Sequence, residues 1–206
     1  QNKMLGSYDD EGKPYSGTYL RTINNQLSAI FNHAVKYYGL GRSPATPTIK
    51  IGERKGAEMK FWTKEQYLMF SEEVMDKPAS FYAFEILYWC GLRVGELLAL
   101  EPDDIDLGRC LIHVTKSYQR IKRRDVVTSP KTPKSKRDVV MPEFLVDELA
   151  DFLGSIPEER RTCRIFCFTK SYLHHEMKRG CAACGLEPIR IHDLRHSHVS
   201  LLIEMG

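Results

Sequence analysis

The sequence predicts an α+β fold: mainly helical, with a small antiparallel sheet inserted among the helices and a helical fragment in front. Three observations carry that prediction. Between Leu20 and Tyr38 apolar residues recur at three- and four-residue steps, the period of an amphipathic helix. Short runs rich in β-branched residues, at 110–114, 125–128 and 137–141, are confined to the middle of the chain. Helical stretches with readable start and stop signals lie on both sides of them.

Residues 1–15 are polar, and Asp9-Asp10-Glu11-Gly12-Lys13-Pro14 reads as a turn or loose tail. Ser16 is placed to cap a helix running to about Tyr38, where Gly39, Gly41 and Pro44 stop it. Its apolar stripe is Leu20, Ile23, Leu27, Ile30, Phe31, Ala34, Val35 and Tyr38. The other face carries Arg21, Asn24, Asn25, Ser28, Asn32 and Lys36. Amide and basic side chains on one face read base edges or phosphates, or are simply hydrated. One helix cannot bury its own stripe, so the remainder of this first unit is expected upstream. Residues 46–60 show no periodicity, carry Lys50, Arg54, Lys55 and Lys60, and read as an interdomain linker.

Thr63-Lys64-Glu65-Gln66 has the spacing of a capping box and opens the next helix. A second helix covers about Ala79 to Cys90. Gly91 to Leu100 then turns and starts a third, ending near Glu101-Pro102. The strands at 110–114 and 125–128 flank a basic segment, and the strand at 137–141 ends at Pro142. Residues 129–136, built from Pro, Ser, Thr and Lys, read as a hairpin turn joining the last two strands. Helices are expected near 144–154 and 172–186, the latter stopped by Gly185, and again over 199–205. Arg164-Ile165-Phe166-Cys167-Phe168 is strand-like.

A length of 206 residues holds one good-sized domain, or one domain and a fragment. With 42% hydrophobic and 28% charged residues the composition is that of a soluble globular protein. No apolar run approaches the ~20 residues of a membrane span. The chain opens on Gln1 and carries no leader pattern, so it reads as a piece of a longer polypeptide. Net charge is only +3, yet the stretch from Lys116 to Arg137 holds nine Lys and Arg against the single acid Asp125. Such a one-sided segment is the footprint of a polyphosphate partner, or else a hydrated basic loop. Cys163, Cys167, Cys181 and Cys184 come near zinc-ligand spacing. Neither pair has the Gly-rich knuckle of a zinc ribbon, and they read as reduced cysteines. A zinc-ribbon module stands as a third reading behind the two developed below.

The chemistry concentrates in Ile191-His192-Asp193-Leu194-Arg195-His196. His192 and Arg195, at i and i+3, share a helix face and unite a titratable ring with a fork of donors. That suits holding a phosphate while a proton moves. Earlier in the chain, Arg93 and Glu96 sit at a helix start and Lys131 in a Pro-Lys-Thr turn. Each has a plain counterpart: Arg93 and Glu96 as an ion pair, Lys131 as an ordinary turn lysine with Lys134 its rival, His196 and His198 as packing or surface residues and not ligands.

In combination, Gly91-Leu92-Arg93-Val94-Gly95-Glu96-Leu97-Leu98-Ala99-Leu100, Ser129-Pro130-Lys131-Thr132 before a strand, and His192-Asp193-Leu194-Arg195-His196 resemble the tyrosine recombinase (phage integrase) family. The resemblance covers residues 62–206 as a catalytic domain. Residues 1–46 look like the end of the family's helical core-DNA-binding domain, with 47–61 as linker. It implies a site-specific recombinase in which a tyrosine attacks the phosphodiester, leaving a 3′-phosphotyrosyl bond and a free 5′-hydroxyl. Strands then exchange through a Holliday junction without ATP, obligatory metal or other cofactor. Arg93 and Arg195 would stabilise the phosphorane-like transition state, His192 would donate to the phosphate and handle a proton, and Lys131 would protonate the leaving oxygen. Glu96 would orient the cluster.

The implied partner is double-stranded DNA, held between the two domains, with Arg21, Asn25, Lys36, Lys116, Lys134 and Lys136 as further contacts. The complete enzyme is expected as a homotetramer on paired sites in the bacterial cytoplasm, at the nucleoid when bound, with no membrane partner. A monomer is compatible with this chain alone. The family's nucleophilic tyrosine follows the His-x-x-Arg motif, whereas the last tyrosine here is Tyr172. It is therefore expected beyond Gly206 or from a neighbouring protomer, and Tyr82, Tyr88, Tyr118 and Tyr172 read as core. The competing reading is a DNA-binding regulator, or a decayed integrase, without strand transfer.

Overall fold

The computed structural model describes residues 11–45, 59–129, 136–160 and 163–206. The chain falls into two compact units, Gln1–Glu58 and Met59–Gly206.

In the first unit, helix α1 spans Gly17–Tyr37. Ser16 Oγ accepts the Tyr19 N–H at 3.2 Å, satisfying one of the orphan donors of the first turn. Of the apolar stripe Leu20 is buried, while Leu27, Ile30 and Val35 remain exposed among the described residues.

The second unit begins with α2, Lys64–Glu72, and the expected capping box is present. Thr63 Oγ1 accepts from Gln66 N at 3.3 Å, and Gln66 Oε1 accepts from Thr63 N at 3.0 Å. Helix α3, Pro78–Trp89, starts with Pro at its first position, where no N–H is needed, and most of its residues are buried. Tyr67 of α2 stacks on Tyr88 of α3, with ring centroids 3.7 Å apart. Beneath them Glu85 is buried but satisfied, accepting from Tyr67 Oη at 2.6 Å, Ser71 Oγ at 2.7 Å and Trp89 Nε1 at 2.8 Å.

A one-turn helix α4, Val94–Leu97, leads to a short 3-10 turn at Pro102–Asp104 and then to the strands. These are β1 (Ile105–Asp106), β2 (Leu111–Val114), β3 (Ser117–Ile121), β4 (Arg124–Thr128) and β5 (Arg137–Val140). They form two antiparallel groups: a three-stranded sheet in the order β1-β2-β5, and a separate β3-β4 hairpin.

Two sequence expectations are corrected here. The flanking strands β4 and β5 lie in separate sheets and do not pair with each other, so the hairpin expected between them is not formed; Lys131 itself lies outside the described residues. The hairpin lies earlier, within the basic segment, and turns at Lys122 and Arg123. Both have positive φ (48° and 66°), as a two-residue I′ turn requires. The strand-like run at 164–168 is not a strand. Ile165 and Phe166 are buried by packing, and the Ile165 N–H is satisfied by the Leu100 carbonyl at 2.8 Å without a ladder.

Helix α5 (Glu143–Gly154) buries Leu145 and Leu149, one turn apart. Helix α6 (Lys170–Cys184) starts at Thr169, whose hydroxyl accepts from Tyr172 N, and stops at Gly185. Gly180 of α6 is needed for close approach to α2, since a Cβ there would lie 2.7 Å from the Phe70 ring. The last helix, α7, is Asp193–Met205 and packs on α3. The core thus joins Phe70, Phe84, Leu97, Ile112, Leu145, Phe166, Leu173 and Leu194, one from almost every element. No helix among the described residues is long and apolar enough to cross a membrane.

Candidate active site

The second unit brings its charged motif residues to the junction of α3, α4, β5 and α7. Helix α3 ends at Cys90, and the chain reverses through Gly91 at φ +61°. A Cβ on Gly91 would meet the His198 ring of α7 at 2.4 Å, so only glycine fits both the conformation and the space. Arg93 follows in extended backbone as the N-cap of α4. Glu96 reaches back to it, its Oε2 accepting the Arg93 main-chain N–H at 2.9 Å and its Oε1 accepting Arg93 Nη1 at 2.9 Å. The i, i+3 spacing seen in the sequence is therefore a helix cap as well as an ion pair.

Arg137, the first residue of β5, completes this arrangement. Its Nη1 donates to Glu96 Oε1 at 3.0 Å and its Nη2 to Oε2 at 2.8 Å, a bidentate pair. Burial works against the charged form of Glu96, yet the bonds from Arg137 and Arg93 outweigh it and draw its carboxyl down to about 2. The sequence reading passed over Arg137 as one more basic residue. The sequence Arg-Asp-Val-Val does not set it apart; only in the folded strand does burial alternate, with Arg137 and Val139 more covered than the exposed Asp138 and Val140.

Arg195 enters from the first turn of α7 and donates through Nη1 to the Gly91 carbonyl, two residues before Arg93. Burial, then the charges of Arg93 and Arg137, hold its guanidinium below the ordinary arginine range, with Glu96 a smaller opposing influence. Two guanidinium groups thus hold the Glu96 carboxylate, and a third, Arg195, lies within electrostatic reach of it, leaving an excess of positive charge suited to an anion. An open groove beside them is lined by Trp89, Met141, Val199 and Leu202.

His192 is the N-cap of α7 and is exposed. Its ring meets His196 edge-on at 5.4 Å. Partial burial, then the neighbouring His196, lowers its pKa from the ordinary histidine value. The start of α7 is fixed by Asp193, buried, whose carboxylate accepts from the Arg190 main chain at 3.1 Å and from the Arg190 guanidinium at 2.7 Å. Ser197 accepts the Trp62 N–H at 2.9 Å. Neither Asp193 nor Ser197 was marked as positioning by the sequence.

The other expected positions are placed as follows. Lys116 is tied to Glu101 and to Asp104 at 3.0 Å, and its ammonium serves the fold instead of facing outward. Lys136 is exposed beside Arg137. Arg21 is half-buried on α1, and Asn25 and Lys36 are exposed there, Lys36 Nζ lying 5.0 Å from the Tyr37 ring centre. Lys131 and Lys134 lie outside the described residues. Of the tyrosines, Tyr88 and Tyr118 are buried and Tyr82 and Tyr172 half-buried. Cys181 is buried on α6, and among the described residues no three His, Cys, Asp or Glu side chains cluster as metal ligands.

Residues 60–206 match the model of the Phage integrase family. The ICEBs1 integrase of Bacillus subtilis (strain 168) is 33% identical over 210 residues, a match covering 93% of this chain and 56% of that protein. The integrase of Mycobacterium phage L5 is 29% identical over 199 residues, covering 92% of this chain and 53% of that one. The chain therefore spans about half the length of these relatives. Among solved structures, the Tn1549 transposon integrase in complex with a circular intermediate DNA superposes with a TM-score of 0.76 at 16% identity, covering 93% of this chain and 68% of that one. A lambda integrase dimer bound to a COC′ core site gives 0.63 at 20% identity, covering 99% and 56%. At such identities the structural likeness speaks for the fold.

Proposed function

Because the chain belongs to the phage integrase family, we propose that the complete protein is a site-specific DNA recombinase whose scissile phosphate is held by Arg93 and Arg195. The observation that supports this best is the tether from Arg195 to the Gly91 carbonyl, which brings two arginines 102 positions apart to one edge of the unit. Two forks of donors there can hold the non-bridging oxygens as charge gathers on them in a pentacoordinate transition state. A tyrosine supplied from outside these 206 residues attacks phosphorus. The Tyr O–P bond forms, the P–O5′ bond breaks, and the leaving oxygen takes a proton from Lys131. His192 donates to the phosphate and handles the tyrosine proton. Glu96 orients Arg93.

The substrate is double-stranded DNA. Residues 1–46 are proposed as the end of a core-binding domain and 62–206 as the catalytic domain. Arg21, Asn25, Lys36, Lys134 and Lys136 supply additional DNA contacts, and the complete enzyme works as a homotetramer in the cytoplasm.

The test is adduct formation by the complete protein on a nicked suicide DNA of its own attachment site, followed by denaturing electrophoresis. A covalent adduct is expected from the wild type. Arg93→Ala or Arg195→Ala should lower its rate by about 100-fold or more while DNA affinity changes little. Undiminished cleavage by either variant would overturn the assignment. DNA binding with no adduct from the wild type would leave a DNA-binding protein without strand transfer.

A further inference from the structure

We infer that Arg137 is a positioning residue of this site: by saturating the Glu96 carboxylate it keeps the Arg93 guanidinium from being drawn into that carboxylate and leaves it turned toward the phosphate. The inference rests on the reading of Arg93 as a phosphate-holding residue. Among the described residues, the Arg137 side chain has its hydrogen bonds and ion pair with Glu96.

The argument is one of occupancy. A carboxylate offers about four lone-pair sites, two on each oxygen. On Glu96, Oε1 accepts from Arg93 Nη1 and Arg137 Nη1, and Oε2 accepts from the Arg93 main chain and Arg137 Nη2. The carboxylate is full. Arg137 therefore takes the bidentate position, and Arg93 is left with one side-chain bond and a side chain 55% exposed. Without Arg137 one site opens on each oxygen of a carboxylate only 8% exposed to water. The nearest cation able to fill both is Arg93, whose guanidinium would then close on Glu96 as a fork.

Charge points the same way. Arg93, Arg137 and Arg195 against Glu96 sum to +2. Removing Arg137 leaves +1, and removing the Glu96 charge as well restores +2. A merely structural Arg137 would behave differently, since the second substitution would then add damage.

The experiment compares single-turnover cleavage of the suicide DNA by the complete protein and by Arg137→Ala, Arg137→Lys and the double variant Arg137→Ala with Glu96→Gln. Arg137→Ala is expected to cleave about 100-fold more slowly with DNA affinity within about threefold of wild type. The double variant should recover about tenfold of that loss, and Arg137→Lys, which keeps the charge without the fork, should fall between. A wild-type rate for Arg137→Ala, or a double variant no faster than the single, overturns the inference. If Arg137→Ala does not fold, Arg137→Lys decides it, and a wild-type rate there overturns it.

A second readout is independent of cleavage. Side-chain ¹⁵N NMR of the Arg93 guanidinium should show slowed rotation in Arg137→Ala that is lost in the double variant. Unchanged Arg93 signals overturn the inference. Failure of the wild type to form an adduct, or full activity of Arg93→Ala, would count against the active-site reading instead.

Discussion

The Trp62 main-chain N–H donates to the Ser197 hydroxyl across 135 positions of sequence, and that hydroxyl in turn donates to the Asp193 carbonyl at 3.1 Å. The chain entering the second unit is thereby fastened to the helix that carries Arg195. Both groups are buried, so neither can turn to water when its partner is lost.

Ser197→Ala should destabilise the second unit by about 1–3 kcal/mol, the cost of stranding a buried N–H, less a few tenths regained from alanine's helix preference. The urea unfolding midpoint measures it. An unchanged midpoint would show that the Trp62 N–H finds another acceptor.

Gly91 carries two separable demands, its left-handed φ and the space filled by His198. Gly91→Ala should cost more than about 2 kcal/mol, from backbone strain and from overpacking together. Adding His198→Ala relieves the overpacking alone, so the double variant should be more stable relative to His198→Ala than Gly91→Ala is relative to wild type. Strictly additive losses in thermal unfolding would contradict the contact.

Glu96 sets an acid limit to stability. Its carboxyl is drawn from 4.5 to about 2 in the folded chain. A depressed carboxyl contributes fully above its unfolded value, and its contribution is lost as pH falls through its folded value. The window is thus pH 4.5 down to about 2, over which about 3 kcal/mol is lost. Glu96→Gln should be less stable at pH 7 and should flatten the slope of stability against pH within that window. Denaturant midpoints at a series of pH values report both, and parallel slopes for variant and wild type would refute the coupling.

What could be read from the sequence was what is local. The Thr63–Gln66 capping box, the Ser16 cap and the Arg93–Glu96 pair each close within three residues, and all three are found in the structure. The β3-β4 hairpin was hidden because its turn is Lys122-Arg123. Lysine and arginine hold a conformation there that Asn-Gly would have advertised. β3 itself looks polar because Tyr118 is its one buried residue. Misreading 129–136 as a hairpin turn followed from that omission, since with β3 unseen the nearest partner for β4 was β5. Arg137 meets Glu96 from 41 positions away, a contact that only the pairing of β5 with β2 creates. Lys116 shows the opposite case: one of a basic run in the sequence, it is claimed by acids from the preceding turn.

Among the described residues the β3-β4 hairpin pairs only with itself, and its base is anchored by Tyr118, whose ring lies 4.1 Å from the Arg164 guanidinium and whose hydroxyl donates to Asp125 at 2.8 Å. From Ile121 to Arg124 the tip is exposed. Because side chains alternate along a strand, adding or removing one residue from each arm beyond that base would change how far the basic tip extends by about 3.4 Å, leaving the β2-β5 register and the arginine cluster where they are. Reach and chemistry are therefore separate variables in this fold, and selection can lengthen one without retuning the other.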